Sequence, residues 1–316
     1  MDTKSKKVLC SIPQAENLLM TTDKRWFVSG SEGFYQIDPD GVMPPQKIPV
    51  AFDTRSPPSV DNRAFFLGIT QFRHFVYSTC TPDVKNTASP RYIMLMDLQQ
   101  SPAAMVAIHQ ISDPSIFDGL TSDAAGHLYL TNLGTFLPPR PGRIVKLNMA
   151  SPTTVAGQST WLETDGHPNG LKIDGDMLYF TQEPLFLLGR STVKTVGIHA
   201  DGTAGAPETI YTTGIARLLD DIELVEGGLL ITQGGLIDEN DPETFHNSRF
   251  NKIIHISEKG EELHRTDIPL APPSAVKLAP DPAAASADLI VTERGSQARI
   301  GEVIRLSPGW GLKNRH

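Results

Sequence analysis

The chain has 316 residues, with 28 Lys and Arg against 36 Asp and Glu, a formal net charge of −8. A pI near 5.6 and the lack of any basic block make it a poor match for a phosphate backbone, so nucleic acid is not an expected partner. No run approaches the ~18 apolar residues of a membrane-spanning helix, and MDTKSKKVLCSIPQAENLL at the N-terminus has charges without a following apolar core. No secretory signal is read there, and a cytoplasmic location is expected. Two cysteines, Cys10 and Cys80, exclude a disulfide framework and a cysteine-rich zinc site. They read as small buried hydrophobes, with a single bridge between them left open. Scattered punctuation by 26 Gly and 25 Pro implies many short elements and an all-β protein.

Taken in chain order, the predicted elements repeat. Lys7–Ile12 is a lone strand. A unit then opens at Glu16 with ENLLMTTDKRWFVSG, followed by the outer strand GFYQIDPDG from Gly33. A second unit, with an altered first strand, covers PSVDNRAFFLGITQFRHFVYSTC from Pro58 and the outer strand RYIMLMDL from Arg91. The clearest copies come next: DGLTSDAAGHLYLTN from Asp118, NGLKIDGDMLYFTQ from Asn169 and DDIELVEGGLLITQ from Asp220. Their first residues lie 51 apart, twice over. Each has a polar opening residue, an alternating strand, a tight Asp/Gly turn and a second strand. Outer strands follow from Gly142, Thr195 and Asn251. A last copy runs from Ser274, with its outer strand from Gly301. Six units of about four short strands cannot bury both faces alone; radial stacking around an axis solves this. The expected fold is a six-bladed β-propeller with a central channel, one domain over residues 1–316. Lys7–Ile12 is expected to complete the last blade and close the ring.

In such a ring the residues that open the inner strands converge at one mouth of the channel. These are Glu16, Asp118, Asn169, Asp220 and Ser274. Asp and Asn are ordinary turn residues, but Glu16 in the same register is not explained that way. A cluster of carboxylate and amide oxygens is the chemistry of a hard cation, calcium with its loose six to eight oxygen ligands or magnesium with its tighter octahedron. No His or Cys falls in these positions, so zinc is not expected.

Ala15-Glu16-Asn17, His167-Pro168-Asn169-Gly170-Leu171 and Leu219-Asp220-Asp221-Ile222 resemble motifs of the calcium-dependent propeller hydrolases, the superfamily of gluconolactonase, regucalcin and paraoxonase. Leu128–Asn132 (LYLTN) is similar to a paraoxonase strand ending in Thr-Asn. The resemblance implies a calcium ion, or another divalent cation, contacted by Glu16, Asn132, Asn169 and Asp220, with Asp221 where paraoxonases have a further amide. Regucalcin-like members use an Asn just before the third Asp-Gly. Phe117 stands there instead, which favours the contact through Asn132. Asn17 and Leu133 replace the carboxylates of the second paraoxonase calcium, so one ion is expected. The histidine of that family falls near Thr81 and is absent.

The implied activity is a metal-dependent hydrolase, a lactonase or esterase acting on a small-molecule lactone or ester. Asp220 is the first candidate for proton acceptor. A carboxylate tied to a cation is a weak base, so Asp118 is the alternative. His167, two residues before Asn169, is a further catalytic candidate, with His109 and His246 behind it. Phe136, Leu137 and the run Leu185–Leu188 sit in long connections and predict an apolar rim suited to a lipophilic substrate. A cyclase or rearrangement enzyme like strictosidine synthase, and a non-catalytic binding propeller, are the alternatives.

Overall fold

The computed structural model describes residues 5–53, 55, 57–83, 89–113, 115–186, 188–235, 249–279, 287–295, 300–313 and 315. Every regular element among them is a strand, and no helix is long and apolar enough to cross a membrane. The strands form six main sheets. Blade 1 has Leu18–Met20, Trp26–Gly30, Gly33–Ile37 and Gln46–Lys47. Blade 2 has Phe65–Phe72, Phe75–Thr81, Arg91–Asp97 and Met105–Ile111, with Val50–Ala51 paired parallel on its outer edge. Blade 3 has Phe117–Ser122, Leu128–Asn132, Arg143–Ser151 and Thr154–Glu163. Blade 4 has His167–Asp174, Met177–Glu183, Arg190–Gly197 and Glu208–Ile215. Blade 5 has Arg217–Val225, Gly228–Gly235, Lys252–Ser257 and Glu262–Arg265. Blade 6 has Pro273–Ala279, Asp288–Glu293 and Gly301–Ser307, and its fourth strand is Ser5–Ile12. That strand runs antiparallel to Gly301–Ser307, from Ser5 opposite Ser307 to Ile12 opposite Gly301. The expected six-bladed propeller and its closure by the first strand are both present.

The core lies between blades. Phe27 and Phe34 of blade 1 stack at 5.6 Å and meet Phe66 of blade 2, 5.7 Å from Phe34. Tyr77, Ile93 and Leu95 of blade 2 pack in the same way on Leu120, Leu128 and Leu130 of blade 3. Each sheet is therefore covered on both faces. Central strands such as Trp26–Gly30 and Leu128–Asn132 are buried at every position, which removes the apolar–polar alternation of a one-sided sheet.

The inner strands of blades 2 to 6 share one irregularity. Their pairing with the second strand breaks between Phe66 and Ile69, Phe117 and Leu120, Pro168 and Leu171, Leu219 and Ile222, and Pro273 and Ala275. Such bulges bend a strand and re-aim a side chain. The residues left unpaired include Leu67 and four of the predicted repeat openings, Asp118, Asn169, Asp220 and Ser274. Gly68 and Gly119 follow two of them because the next blade comes too close for a side chain. A Cβ would stand 2.1 Å from Asp118 O at Gly68, and 2.3 Å from Asn169 O at Gly119.

A candidate metal and active site in the channel mouth

The bulges of blades 2 to 6, with the segment leading into the first strand of blade 1, deliver one residue per blade to a cavity of about 410 Å³. Glu16, Leu67, Asp118, Asn169, Asp220 and Ser274 all line it. The first five are spaced by 51 residues each. Leu67, the blade 2 member, makes that sector of the ring apolar. Two residues earlier in the chain, a second tier from every blade but the fourth lines the same cavity: Gln14, Phe65, Ile116, Leu218 and Pro272. A third tier comes from the ends of the second strands and includes Leu133, Glu183, Gly234 and Arg294. The site is thus a polar floor under a largely apolar wall.

Threonines on the second strands hold the floor in place. Thr79 accepts the Gly68 N–H at 3.1 Å and donates to Phe117 O of the next blade at 3.1 Å. Thr232 accepts the Asp221 N–H at 2.8 Å and donates to Ser274 O at 3.1 Å. Thr292 accepts the Ala275 N–H at 2.8 Å and donates to Glu16 O, and Thr181 donates to Asp220 O. Thr131 accepts the Gly119 N–H at 2.7 Å. A hydroxyl has one proton and two lone pairs. Each of Thr79, Thr232 and Thr292 satisfies the N–H stranded by its own bulge and pins a carbonyl at or beside the next blade's floor position.

Four carboxyls, Glu16, Asp118, Glu183 and Asp220, share the cavity. Burial pushes Asp118 up to about 7, Glu16 adds to this, and Arg294 opposes it. Burial likewise raises Glu183 to about 7, against an amide hydrogen bond from Asn169 and the charge of Arg294. Asp220 is raised well above an ordinary carboxylate by burial, then by Asp118 and Glu16. Glu16 is raised by burial, with Arg294 pulling it back. Arg294 is the one basic side chain among the described residues that line the cavity. Its Nε stands 3.1 Å from Glu16 Oε1.

Glu16, Asp118, Asn169, Asp220 and Ser274 are brought together; Asn132, Asp221, His167 and His109 do not line the cavity. Asn132 Nδ2 donates to Asp113 at 2.9 Å and its Oδ1 accepts the Gly134 N–H at 2.8 Å, so its amide is occupied on both sides away from the cavity. Asp221 is the second residue of its bulge and does not line the cavity. Its Oδ1 is 3.9 Å from Lys172 Nζ, and it faces a buried layer of charge below the floor in which Lys277 bonds Glu223. His167 is fully buried. Its Nδ1 lies 2.6 Å from Leu133 O, which makes that nitrogen the donor, and its ring packs on Phe136 with centroids 4.3 Å apart. Leu133 and Phe136 line the cavity in its place. His109 lies on the outer strand of blade 2, and His246 is outside the described residues. The apolar rim also differs. Phe136 lines the cavity, but Leu137, Phe186 and Leu188 are exposed, and Leu187 is outside the described residues. The inner-strand starts supply the apolar wall instead. Sequence reasoning missed Leu67, Glu183 and Arg294.

The donor set fits a hard cation by its chemistry. Glu16 Oε1 and Asn169 Oδ1 are buried oxygens without a hydrogen bond, and all potential ligands on the floor are oxygen. No group of three or more His, Cys, Asp and Glu able to hold a metal ion by itself occurs among the described residues. An ion would therefore need the Asn169 amide oxygen beside the carboxylates.

Comparison with solved structures addresses the fold. A gluconolactonase from Xanthomonas campestris superposes with a TM-score of 0.61 at 13% identity, over 97% of this chain and 91% of that one. The chain has the fold of the gluconolactonase propellers. It is also similar to a soluble aldose sugar dehydrogenase from Escherichia coli (TM-score 0.62, 12% identity, 97% of this chain and 100% of that one). A glucose dehydrogenase is similar again (TM-score 0.61, 13% identity, 96% and 99%). No family model and no curated relative matches the sequence. Two chemistries thus occur on this gluconolactonase-like scaffold, and the side chains of the channel mouth must distinguish them.

Proposed function

We propose that the protein is a divalent-cation-dependent hydrolase that opens a lipophilic lactone or ester in the channel mouth. The observation that carries this reading is the oxygen floor of Glu16, Asp118, Asn169 and Asp220, with unpaired buried oxygens on Glu16 and Asn169. Glu16, Asn169 and Asp220 would hold the cation, calcium being the natural occupant. When bound, it supplies a fixed charge that polarises a substrate carbonyl. The protein's own groups do the rest. Phe65, Ile116, Leu218 and Phe136 bury the apolar body of the substrate and limit water. Asp118, pushed up to about 7, is suited to take a proton from an attacking water near neutral pH. Asp220 is the alternative acceptor.

The Glu16–Arg294 contact favours a second reading, a propeller enzyme that works without a metal on a guanidinium-paired carboxylate. One experiment separates the two. Metal content, calcium affinity and hydrolysis of lactones and aryl esters are measured for wild type, Asn169→Ala and Asp220→Asn, with and without chelator. Cation-dependent hydrolysis that falls by about 10²-fold or more in both variants is expected. Hydrolysis indifferent to chelator, or a protein with no specific cation, overturns the cation-dependent reading.

A further inference from the structure

We infer that Arg294 is a built-in competitor of the cation: its guanidinium occupies Glu16 in the cation-free site and must leave that carboxylate when a divalent ion binds. The inference rests on the cation-binding reading of the floor and adds a residue that sets its affinity. Arg294 follows Asp288–Glu293 of blade 6, and its N–H donates to Pro272 O at 2.8 Å. The backbone is therefore anchored beside the mouth while the long side chain reaches across the seam to blade 1. There Nε stands 3.1 Å from Glu16 Oε1. That oxygen is also a buried atom without a well-aligned hydrogen bond. At this oxygen the contact is an ion pair and not an aligned hydrogen bond.

The two side chains differ in exposure. Glu16 is 4% exposed at its side chain and Arg294 is 45% exposed. Glu16 is fixed from both sides, its N–H donating to Ser29 O at 2.9 Å and its carbonyl accepting from Thr292. A guanidinium and a divalent ion on one carboxylate are like charges a few ångströms apart in a largely desolvated cavity. That repulsion is worth on the order of a tenfold change in affinity or more. The guanidinium also balances the acidic floor, since its charge acts on Glu16, Asp118, Glu183 and Asp220 alike. Cation binding is thus an exchange of one positive charge for another.

The test is calorimetric titration of calcium into chelator-treated wild type, Arg294→Met and Arg294→Lys. Arg294→Met keeps the stem and removes the charge. It should bind calcium about tenfold tighter than wild type or better, and Arg294→Lys should stay near wild type. Tight binding by Arg294→Met alone, with wild type silent, supports the competition and overturns cation-dependent hydrolysis by the native protein. Unchanged or weaker binding by Arg294→Met while wild type binds overturns this inference and leaves the cation site standing. Absence of binding by wild type and both variants overturns both. If Arg294→Met does not fold, wild type decides. A crystal structure with calcium bound should show Arg294 parted from Glu16, and persistence of the contact beside the ion refutes the competition.

Discussion

Asn132 carries the same amide as Asn169, yet only Asn169 has an oxygen to spare. Asn132 bonds Asp113 and Gly134, and Asp113 is held in turn by Arg143. Asn132→Ala should therefore leave calcium affinity within about twofold of wild type while costing about 1–3 kcal/mol of stability, because a buried acceptor and N–H lose their partners. Titration with calcium and a denaturant midpoint check both halves; a large loss of affinity would return Asn132 to the ligand set. Glu16, Asp118, Asn169 and Asp220 were legible because a fixed 51-residue step marks them as equivalent in space. Leu67 obeys the same step but is apolar, so it gave no chemical signal. Glu183 and Arg294 are two residues beyond Thr181 and Thr292, on or just past the second strands. Carrying the strand period of two past each threonine would have found them. His167 misled because the step from Asn169 back by two leads to the wall tier in other blades, whereas here the ring turns to Leu133 and Phe136. The cysteines behave as the sequence suggests, both free. Burial pushes Cys10 up to about 11 from 9.0, and raises Cys80 further. The thiolate is the reactive form. At pH 8 the native protein should alkylate about a hundredfold more slowly than the unfolded chain, gaining rate as pH rises towards 11. Rapid labelling of two thiols in the folded protein would contradict this.

At the scale of the element, the repeating device is a bulge with its threonine. An inner strand that bulges to aim one side chain at the axis strands a backbone N–H. Left unpaired in a buried seam, such a group costs about as much as a lost hydrogen bond. The threonine on the adjacent second strand answers that need and adds a bond to the neighbouring blade. Thr232 is the cleanest case, with Asp221 N–H at 2.8 Å and Ser274 O at 3.1 Å. Thr232→Val keeps shape and β-branching but loses both bonds, so it should lower stability by about 1–3 kcal/mol. The same substitution at Thr70, a half-buried strand residue without these partners, should stay within about 0.5 kcal/mol. Equal effects at the two positions would mean that the hydroxyls do not hold the seam. This layer was invisible in the sequence. The second-strand motifs LYLTN, LYFTQ and LLITQ display their threonines plainly, but threonine is common in strands for its branching alone. The carbonyls that Thr181 and Thr232 reach lie in another blade, 39 and 42 residues away, where no local pattern points.

For the whole molecule the decisive feature is closure. A ring of sheets leaves no free face only if the last blade meets the first, and here the chain's first strand supplies the final edge of blade 6. That was readable from KVLCSI preceding the first repeat, because a six-fold ring with three strands left in its last unit needs a fourth. Ile12 is the hinge of the arrangement. It is 0% exposed and packs with Ala15 and Leu18 entering blade 1, Val28 of blade 1 and Val303 of blade 6. It therefore joins the strand that closes the ring to both blades across the seam. Val8, on the same strand, is 47% exposed. Ile12→Ala should cost about 2–5 kcal/mol, the range for emptying a packed site that cannot collapse, while Val8→Ala should stay within about 0.5 kcal/mol. Because Glu16 follows four residues later and Thr292 of blade 6 holds its carbonyl, loosening this seam should also weaken calcium binding in Ile12→Ala, and not in Val8→Ala. Denaturant melts and calcium titrations of the two variants measure both effects together. Loss of stability without loss of affinity would show that the seam carries the fold but does not set the floor of the site.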